Sequence, residues 1–360
     1  MTVVPRALLL LCAALLLAQA SRADDALSGQ ASATVVQRDA RFSEGTVLPE
    51  IKRAYVTLGA ARRNAAGDIV NAVLLLHGTS GTSGDWLRPQ TTRHLFGPGQ
   101  PLDLANYFIV IPDGIGRGGS SKPSDGLRAK FPHYRYRDMV VSDHRLLTES
   151  LGIKHLRLVL GTSMGGMQTW MWAEMFPDFM DAAVPIGTQA VAIGGRNWMM
   201  RQVSIDAIRH DPDWKGGNYE KQPTLWTKTA PVIGLMSDSV VQLQQAAPNV
   251  AAGRKLLDSM SQAAARNDTN DTLWAREAVQ DYDPAPGVDR IRARLMALNF
   301  ADDDVNPPQL DTLAPAIRRI PNARYVLVPA SATSHGHLAY QDSSLWADEL
   351  ARFLASVPAP

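Results

Sequence analysis

Six short apolar runs recur along the chain, and most of them end abruptly. Run 72–76 stops at His77-Gly78, run 107–111 at Pro112, and run 156–160 at Gly161. Runs 182–186, 295–300 and 325–328 complete the set. Continuous apolar runs of four to six residues read as strands covered on both faces, as in a parallel sheet. Helical patterns lie between them: 138–151, 166–176 (ended by Pro177) and 345–354. Strands alternating with helices predict an α/β fold around a parallel sheet.

The alternation breaks once. Between 186 and 295 there is no strand pattern, and the stretch is rich in Trp, Met, Gln and Ala: Trp198, Met199, Met200, Trp214, Trp226, Met236, Met260 and Trp274. It reads as a helical insertion whose large side chains serve packing. Asn267-Asp268-Thr269 and Asn270-Asp271-Thr272 match the glycosylation pattern and read as an exposed polar turn. Residues 24–45 are polar and read as a loose lead-in. The expected division is a signal peptide at 1–20, a lead-in at 21–45, a core in two parts at 46–189 and 291–360, and a helical lid at 190–290.

Arg6 precedes the apolar run 7–18, and Ala18-Gln19-Ala20 follows. This is the pattern of a secretory signal peptide. The run is too short for a permanent membrane span. Cleavage after Ala20 is the first expectation and after Ala23 the second. Cys12 is the only cysteine and leaves with the peptide. Its place inside the apolar core, after the bulky Leu11, argues against a lipid-anchored cysteine. A mature chain without cysteine has no disulfide, cysteine-ligated metal or cysteine nucleophile. The expectation is a periplasmic or secreted protein without stable membrane insertion. Lys plus Arg number 36 against 35 Asp plus Glu, so no basic excess exists to hold a nucleic acid.

Gly161-Thr162-Ser163-Met164-Gly165 follows a strand and opens a helix. In this context G-x-S-x-G is a nucleophile elbow, a sharp turn that lifts the Ser163 hydroxyl clear of the sheet. The helix N-terminus behind it offers N–H groups to a developing oxyanion. Oxyanion donors are expected at the backbone N–H groups of Met164 and Thr79, the latter on His77-Gly78-Thr79-Ser80-Gly81, with Ser80 as competitor. His77 is expected to brace that loop.

A serine nucleophile needs a base, and elbow enzymes order their groups Ser, acid, His. Downstream of Ser163 stand His210, His335 and His337. His337, after a glycine and before the last helix, is favoured, with His335 as alternative. The acid is one of Asp302, Asp303 and Asp304, after strand 295–300; the loop after 182–186 offers no carboxylate.

Gly161-Thr162-Ser163-Met164-Gly165-Gly166-Met167-Gln168 resembles the homoserine O-acetyltransferase-like branch of the α/β-hydrolase superfamily. Further matching pieces are Ala54-Tyr55-Val56-Thr57-Leu58-Gly59, Asn71-Ala72-Val73-Leu74, Asp138-Met139-Val140, and Asp211-Pro212 with Gly216-Gly217-Asn218-Tyr219. The resemblance implies the α/β-hydrolase fold: a mostly parallel central sheet of about eight strands with a helical lid insertion. It implies Ser163 as nucleophile, His337 as base and Asp303 as acid, four residues before Pro307. It also implies a lid that mediates homodimers.

The chain departs from that pattern in the first lid helix. Ile205 stands where the acetyltransferases have an arginine thought to hold the homoserine carboxylate, and isoleucine cannot form that bidentate pair. Arg196 and Arg201 are nearby substitutes. Water is therefore the expected acyl acceptor and a small-molecule carboxylic ester the expected substrate. Acyl transfer is the alternative, and a catalytically silent scaffold a third reading. No cofactor or metal is expected: there is no H-E-x-x-H and no cysteine pair, 114–119 reads as a common Gly-rich loop at the end of a strand, and the neighbouring Ser120-Ser121-Lys122-Pro123 reads as a loop beside the active site.

Overall fold

The computed structural model describes residues 29–358. The predicted signal peptide and Cys12 lie outside the described residues. Eight strands form one sheet in the order β1-β2-β4-β3-β5-β6-β7-β8. They are β1 (Ala31–Arg41), β2 (Val47–Leu58), β3 (Ala72–Leu76), β4 (Phe108–Pro112), β5 (Leu158–Thr162), β6 (Ala182–Ile186), β7 (Arg294–Phe300) and β8 (Ala323–Val328). From β4 to β8 all neighbours are parallel, while β1 and β2 run antiparallel at one end.

Apolar residues on both faces of the central strands explain the continuous runs. In β3, Leu74 and Leu76 join a core with Val159, Trp170 and Trp172 on one side of the sheet. Val73 and Leu75 join Leu158, Leu160, Val184, Leu298 and Trp346 on the other. The helices that cover the sheet include α1 (Pro89–Leu95), α2 (Tyr136–Arg145), α3 (Met164–Met175) and, near the C-terminus, a helix at Ala347–Ser356.

Three expectations need correction. The stretch read as a loose lead-in contains β1, paired with β2 over ten residue pairs from Ala31↔Thr57 to Arg41↔Val47. β1 is a mostly exposed edge strand in which Ala40 is the only buried apolar residue, so its sequence carries no core signal. β2 hides another exception. Arg53 is fully buried in it, donating to Asp143 at 2.5 Å and to the Asp113 carbonyl at 3.1 Å. The strand expected at 156–160 instead runs on through Gly161 and Thr162, which pair with Pro185 and Ile186. It therefore delivers the chain directly to Ser163.

Among the described residues, the segment between β6 and β7 contains helices and no strand: α4 (Gly195–Arg209), α5 (Ala230–Ser237), α6 (Val240–Ala246), α7 (Val250–Ala264) and α8 (Thr269–Glu277). The Asn-Asp-Thr doublet is not an exposed turn. Asp268 caps α8, accepting from the Asn270 and Asp271 backbone, and Asn270 is buried with its amide on the Gly217 carbonyl. No helix among the described residues is long and apolar enough to cross a membrane.

Candidate active site

Ser163 sits between β5 and α3 with φ +53° and ψ −114°. A positive φ is costly for a residue with a Cβ and persists only where the surroundings enforce it. Here they do. The Ser163 N–H donates to the Ile186 carbonyl at 2.8 Å, and its carbonyl accepts from Met167 at 2.9 Å. The elbow glycines are sterically required. A Cβ on Gly161 would lie 2.1 Å from the Gly165 carbonyl oxygen, and one on Gly165 would lie 2.2 Å from that of Leu76.

His337 comes from the loop after β8. Its Nε2 lies 2.9 Å from Ser163 Oγ and its Nδ1 lies 2.8 Å from Asp303 Oδ2. All three side chains are buried. The loop after β7 fixes Asp303 from the other side, because Oδ1 accepts the backbone N–H groups of Val305 and Asn306, both at 2.8 Å. The Tyr340 ring packs edge-on against the imidazole, with centroids 5.3 Å apart.

The three aspartates separate by partner. Asp303 alone meets His337. Asp302 Oδ2 accepts from Ser334 Oγ at 2.7 Å and from the Gly336 N–H at 3.2 Å, holding the histidine loop. Asp304 pairs with Arg196 at 2.7 Å. The histidines separate as well. His335 turns to Asp238 at 2.9 Å, and His210 is exposed with its Nδ1 2.8 Å from the Asp206 carbonyl. Asp238 belongs to the lid, where Ser239 Oγ also donates to the Ser334 carbonyl.

Met164 is the first residue of α3, where a helix leaves its N–H groups without intrahelical acceptors. Gly78 approaches from the other side: a Cβ there would lie 3.7 Å from Ser163 Cβ. Thr79 is the next residue. His77 accepts the Gly114 N–H on Nε2 at 2.9 Å, so its Nδ1 carries the hydrogen and donates to the Gly78 carbonyl at 2.8 Å. Burial pushes its pKa below the ordinary histidine value. A neutral imidazole pinned in this way ties the Gly-rich loop at 114 to the loop at 78.

Residues 71–335 match the family described as the alpha/beta hydrolase fold. The chain belongs to the α/β-hydrolase superfamily. Its curated relatives set the branch. It is 31% identical to a homoserine O-acetyltransferase of Geobacter sulfurreducens, over 89% of this chain and 96% of that one. It is 29% identical to a probable acyltransferase of Methanothermobacter thermautotrophicus, over 87% and 94%. Among solved structures, the acetyl esterase MekB is 28% identical with a TM-score of 0.78, covering 91% of this chain and 97% of its own. This α/β-hydrolase thus lies in the homoserine O-acetyltransferase-like branch, which holds both esterase and acyltransferase relatives.

Sequence reasoning did not anticipate the cavity of this α/β-hydrolase-fold protein. A space of about 630 Å³ opens between the start of α4 and the loop after β7, lined by Met167, Ile193, Tyr282, Val305 and Leu310, with Asn197 and Asn306. Ser163 does not line it, and Met167, one turn further along α3, is its link to the elbow. In α4, Ile205 is buried and Arg196 is engaged by Asp304, but Arg201 reaches the site, donating to Thr79 Oγ1 at 3.3 Å. Arg276 also lies beside the Thr79 loop. It was missed because nothing in the sequence of α8, where it follows Leu273, Trp274 and Ala275, ties it to the distant Thr79 loop.

Proposed function

We propose that this α/β-hydrolase is a serine esterase that cleaves a small carboxylic ester through a covalent acyl-enzyme. The observation that carries the reading is the unbroken hydrogen-bonded chain Ser163–His337–Asp303, anchored at a strained elbow.

In the proposed mechanism His337 Nε2 removes the Ser163 proton as Oγ attacks the ester carbonyl carbon. The carbonyl π pair moves onto oxygen, and the Met164 and Thr79 N–H groups stabilise the oxyanion. Asp303 holds the imidazole in the Nδ1–H tautomer and stabilises the imidazolium. Collapse of the tetrahedral intermediate breaks the bond to the alcohol oxygen, which takes the proton from His337. Water then attacks the acyl-enzyme with His337 as base, releasing the acid and restoring Ser163.

Acyl transfer is the second reading, favoured by the acyltransferase relatives. Two features weigh toward hydrolysis. Ile205 occupies the position of the carboxylate-binding arginine. The proposal also includes export, on the strength of Arg6, the apolar run and Ala18-Gln19-Ala20, and acetyl-CoA is a cytoplasmic metabolite.

The test measures p-nitrophenyl acetate cleavage by the mature protein and its Ser163→Ala variant, with and without homoserine. Acetyl-CoA plus homoserine is assayed separately for CoA release. Ser163-dependent cleavage indifferent to homoserine, without CoA release, is expected. Homoserine-dependent CoA release would replace this reading with acyl transfer.

A further inference from the structure

The cavity of about 630 Å³ between the start of α4 and the loop after β7 is lined by no member of the triad. It is lined instead by residues that hold each of them. Val305 and Asn306, both buried in its wall, donate the two backbone N–H groups that fix Asp303 Oδ1, each at 2.8 Å. The Asn306 side-chain amide donates to the Gly187 carbonyl at 2.8 Å. Gly187 backs onto the base, since a Cβ there would lie 3.4 Å from His337 Cε1. Met167, also in the wall, donates its backbone N–H to the Ser163 carbonyl at 2.9 Å.

The lining sets the chemistry of a ligand. Arg196 and Asp304 are the only charged residues in it, and they pair with each other at 2.7 Å. The amide and hydroxyl groups are satisfied within the protein. Asn197 accepts from Arg201 Nε at 3.0 Å and donates to Asn306 Oδ1 at 3.1 Å. Gln189 accepts from Thr312 Oγ1 on its side chain and from the Tyr282 hydroxyl on its carbonyl. No charge is left over to hold an ionic group, and an ion taken out of water without a partner is strongly disfavoured. What remains is apolar surface from Met167, Val191, Ile193, Val305, Leu310 and the Tyr282 ring. Leu310 is exposed although it is large and apolar, and a molecule seated in the cavity covers it. The volume falls in the range of small-molecule sites, about 300–1,000 Å³.

We propose that this cavity is a second binding site, for an uncharged and largely apolar small molecule, and that its occupation stabilises the catalytic arrangement of the triad. The loop conformation that forms the wall is the one that turns Asp303 toward His337. A ligand that binds this conformation favours it over every conformation in which the two N–H groups leave Asp303. Occupation therefore raises kcat and does not compete with the ester. The coupling rests on Ser163, His337 and Asp303 being the catalytic groups, whereas the binding does not.

The probe is N-phenyl-1-naphthylamine, an uncharged fluorophore whose emission rises in apolar surroundings. It is titrated into the mature protein before and after Ser163 is blocked with a fluorophosphonate. One probe per chain is expected to bind, with the same Kd in both forms. 8-Anilino-1-naphthalenesulfonate, the same frame carrying a sulfonate, should bind at least about tenfold more weakly. Leu310→Asp, a change at an exposed position, should weaken the uncharged probe by about tenfold or more. Saturating probe should raise kcat for p-nitrophenyl acetate about two- to fivefold, at the low end of couplings between sites, with KM unchanged.

Absence of binding, or equal binding of the sulfonate, would overturn the site as described. Binding abolished by the fluorophosphonate, or competitive inhibition with KM raised, would assign the probe to the ester's own pocket and overturn the proposal. An unchanged kcat at full occupancy would overturn the coupling. Should Leu310→Asp fail to fold, amide hydrogen exchange on the wild type decides. Slowing by the probe is expected in segments 191–197 and 304–312, and slowing confined to the exposed apolar face of α5 to α7 would overturn the proposal. A protein that binds the probe but cleaves no ester, and whose Ser163 is not labelled, would remove the esterase reading and leave the binding site standing.

Discussion

Replacing Asp303 with asparagine changes one oxygen to an NH2 in a site where every contact has a fixed direction. Oδ1 accepts two backbone N–H groups, from Val305 and Asn306, while Oδ2 faces His337 Nδ1. Asparagine has two ways to fit. With its oxygen toward the two amides, its NH2 faces Nδ1, which must then lose its hydrogen and accept. The ring becomes the Nε2–H tautomer and can no longer take the Ser163 proton. Flipped, the NH2 would confront two buried N–H donors and leave both unsatisfied, at about 1–3 kcal/mol each. The loop therefore selects the inactive tautomer. The same substitution in a serine-protease triad lowers kcat about 10⁴-fold, which is about 5.4 kcal/mol at 1.36 kcal/mol per decade. A loss of about 10³- to 10⁴-fold in kcat for p-nitrophenyl acetate is expected in Asp303→Asn, with fold and melting temperature little changed. A kcat within about tenfold of wild type, with the loss appearing in Asp302→Asn or Asp304→Asn instead, would refute the reasoning.

Other consequences reach beyond the triad. Arg53→Met leaves Asp143 buried without its cation, and urea unfolding should show a loss of about 3–5 kcal/mol; a change below about 1 kcal/mol would mean that the pair contributes little. Asp271 is pushed up to about 6, chiefly by burial, so it binds its proton more tightly folded than unfolded. Its contribution to stability therefore falls as pH rises from about 4 to about 6 and stays lost above that. Asp271→Asn should gain melting temperature relative to wild type at pH 7.5, with the gap closing near pH 4, and a gap independent of pH would count against this. Leu235, Val240, Val241, Val250 and Leu257 stand exposed on lid helices α5 to α7, and we propose this face as a homodimer contact. Light scattering should report a dimer that Val250→Asp with Leu257→Glu converts to monomer, and a monomeric wild type would remove the proposal.

The central sheet was legible because its strands are buried on both faces, and such strands leave uninterrupted apolar runs. The first two strands were hidden for opposite reasons. β1 buries almost nothing, whereas β2 interrupts its apolar pattern with a buried arginine whose partner, Asp143, is distant in sequence. The elbow was legible because its glycines are demanded by the close packing of the turn, Gly161 against Gly165 within the segment and Gly165 against Leu76 of the neighbouring strand β3. Among the three aspartates the residues themselves left the choice open. It depends on how the loop after β7 folds around Val305 and Asn306, which no local pattern encodes. Arg276 was invisible for a related reason. Its place beside the Thr79 loop, distant in sequence, emerges only from the fold.

The most direct test of the central claim is to trap the acyl-enzyme. Mature protein mixed with excess p-nitrophenyl acetate and quenched early should release a burst of p-nitrophenol stoichiometric with enzyme. Mass spectrometry of its peptides should find one added acetyl group on Ser163, absent from Ser163→Ala. Turnover without a burst, or acetyl found on another residue and undiminished in Ser163→Ala, would contradict the assignment of Ser163 as the nucleophile.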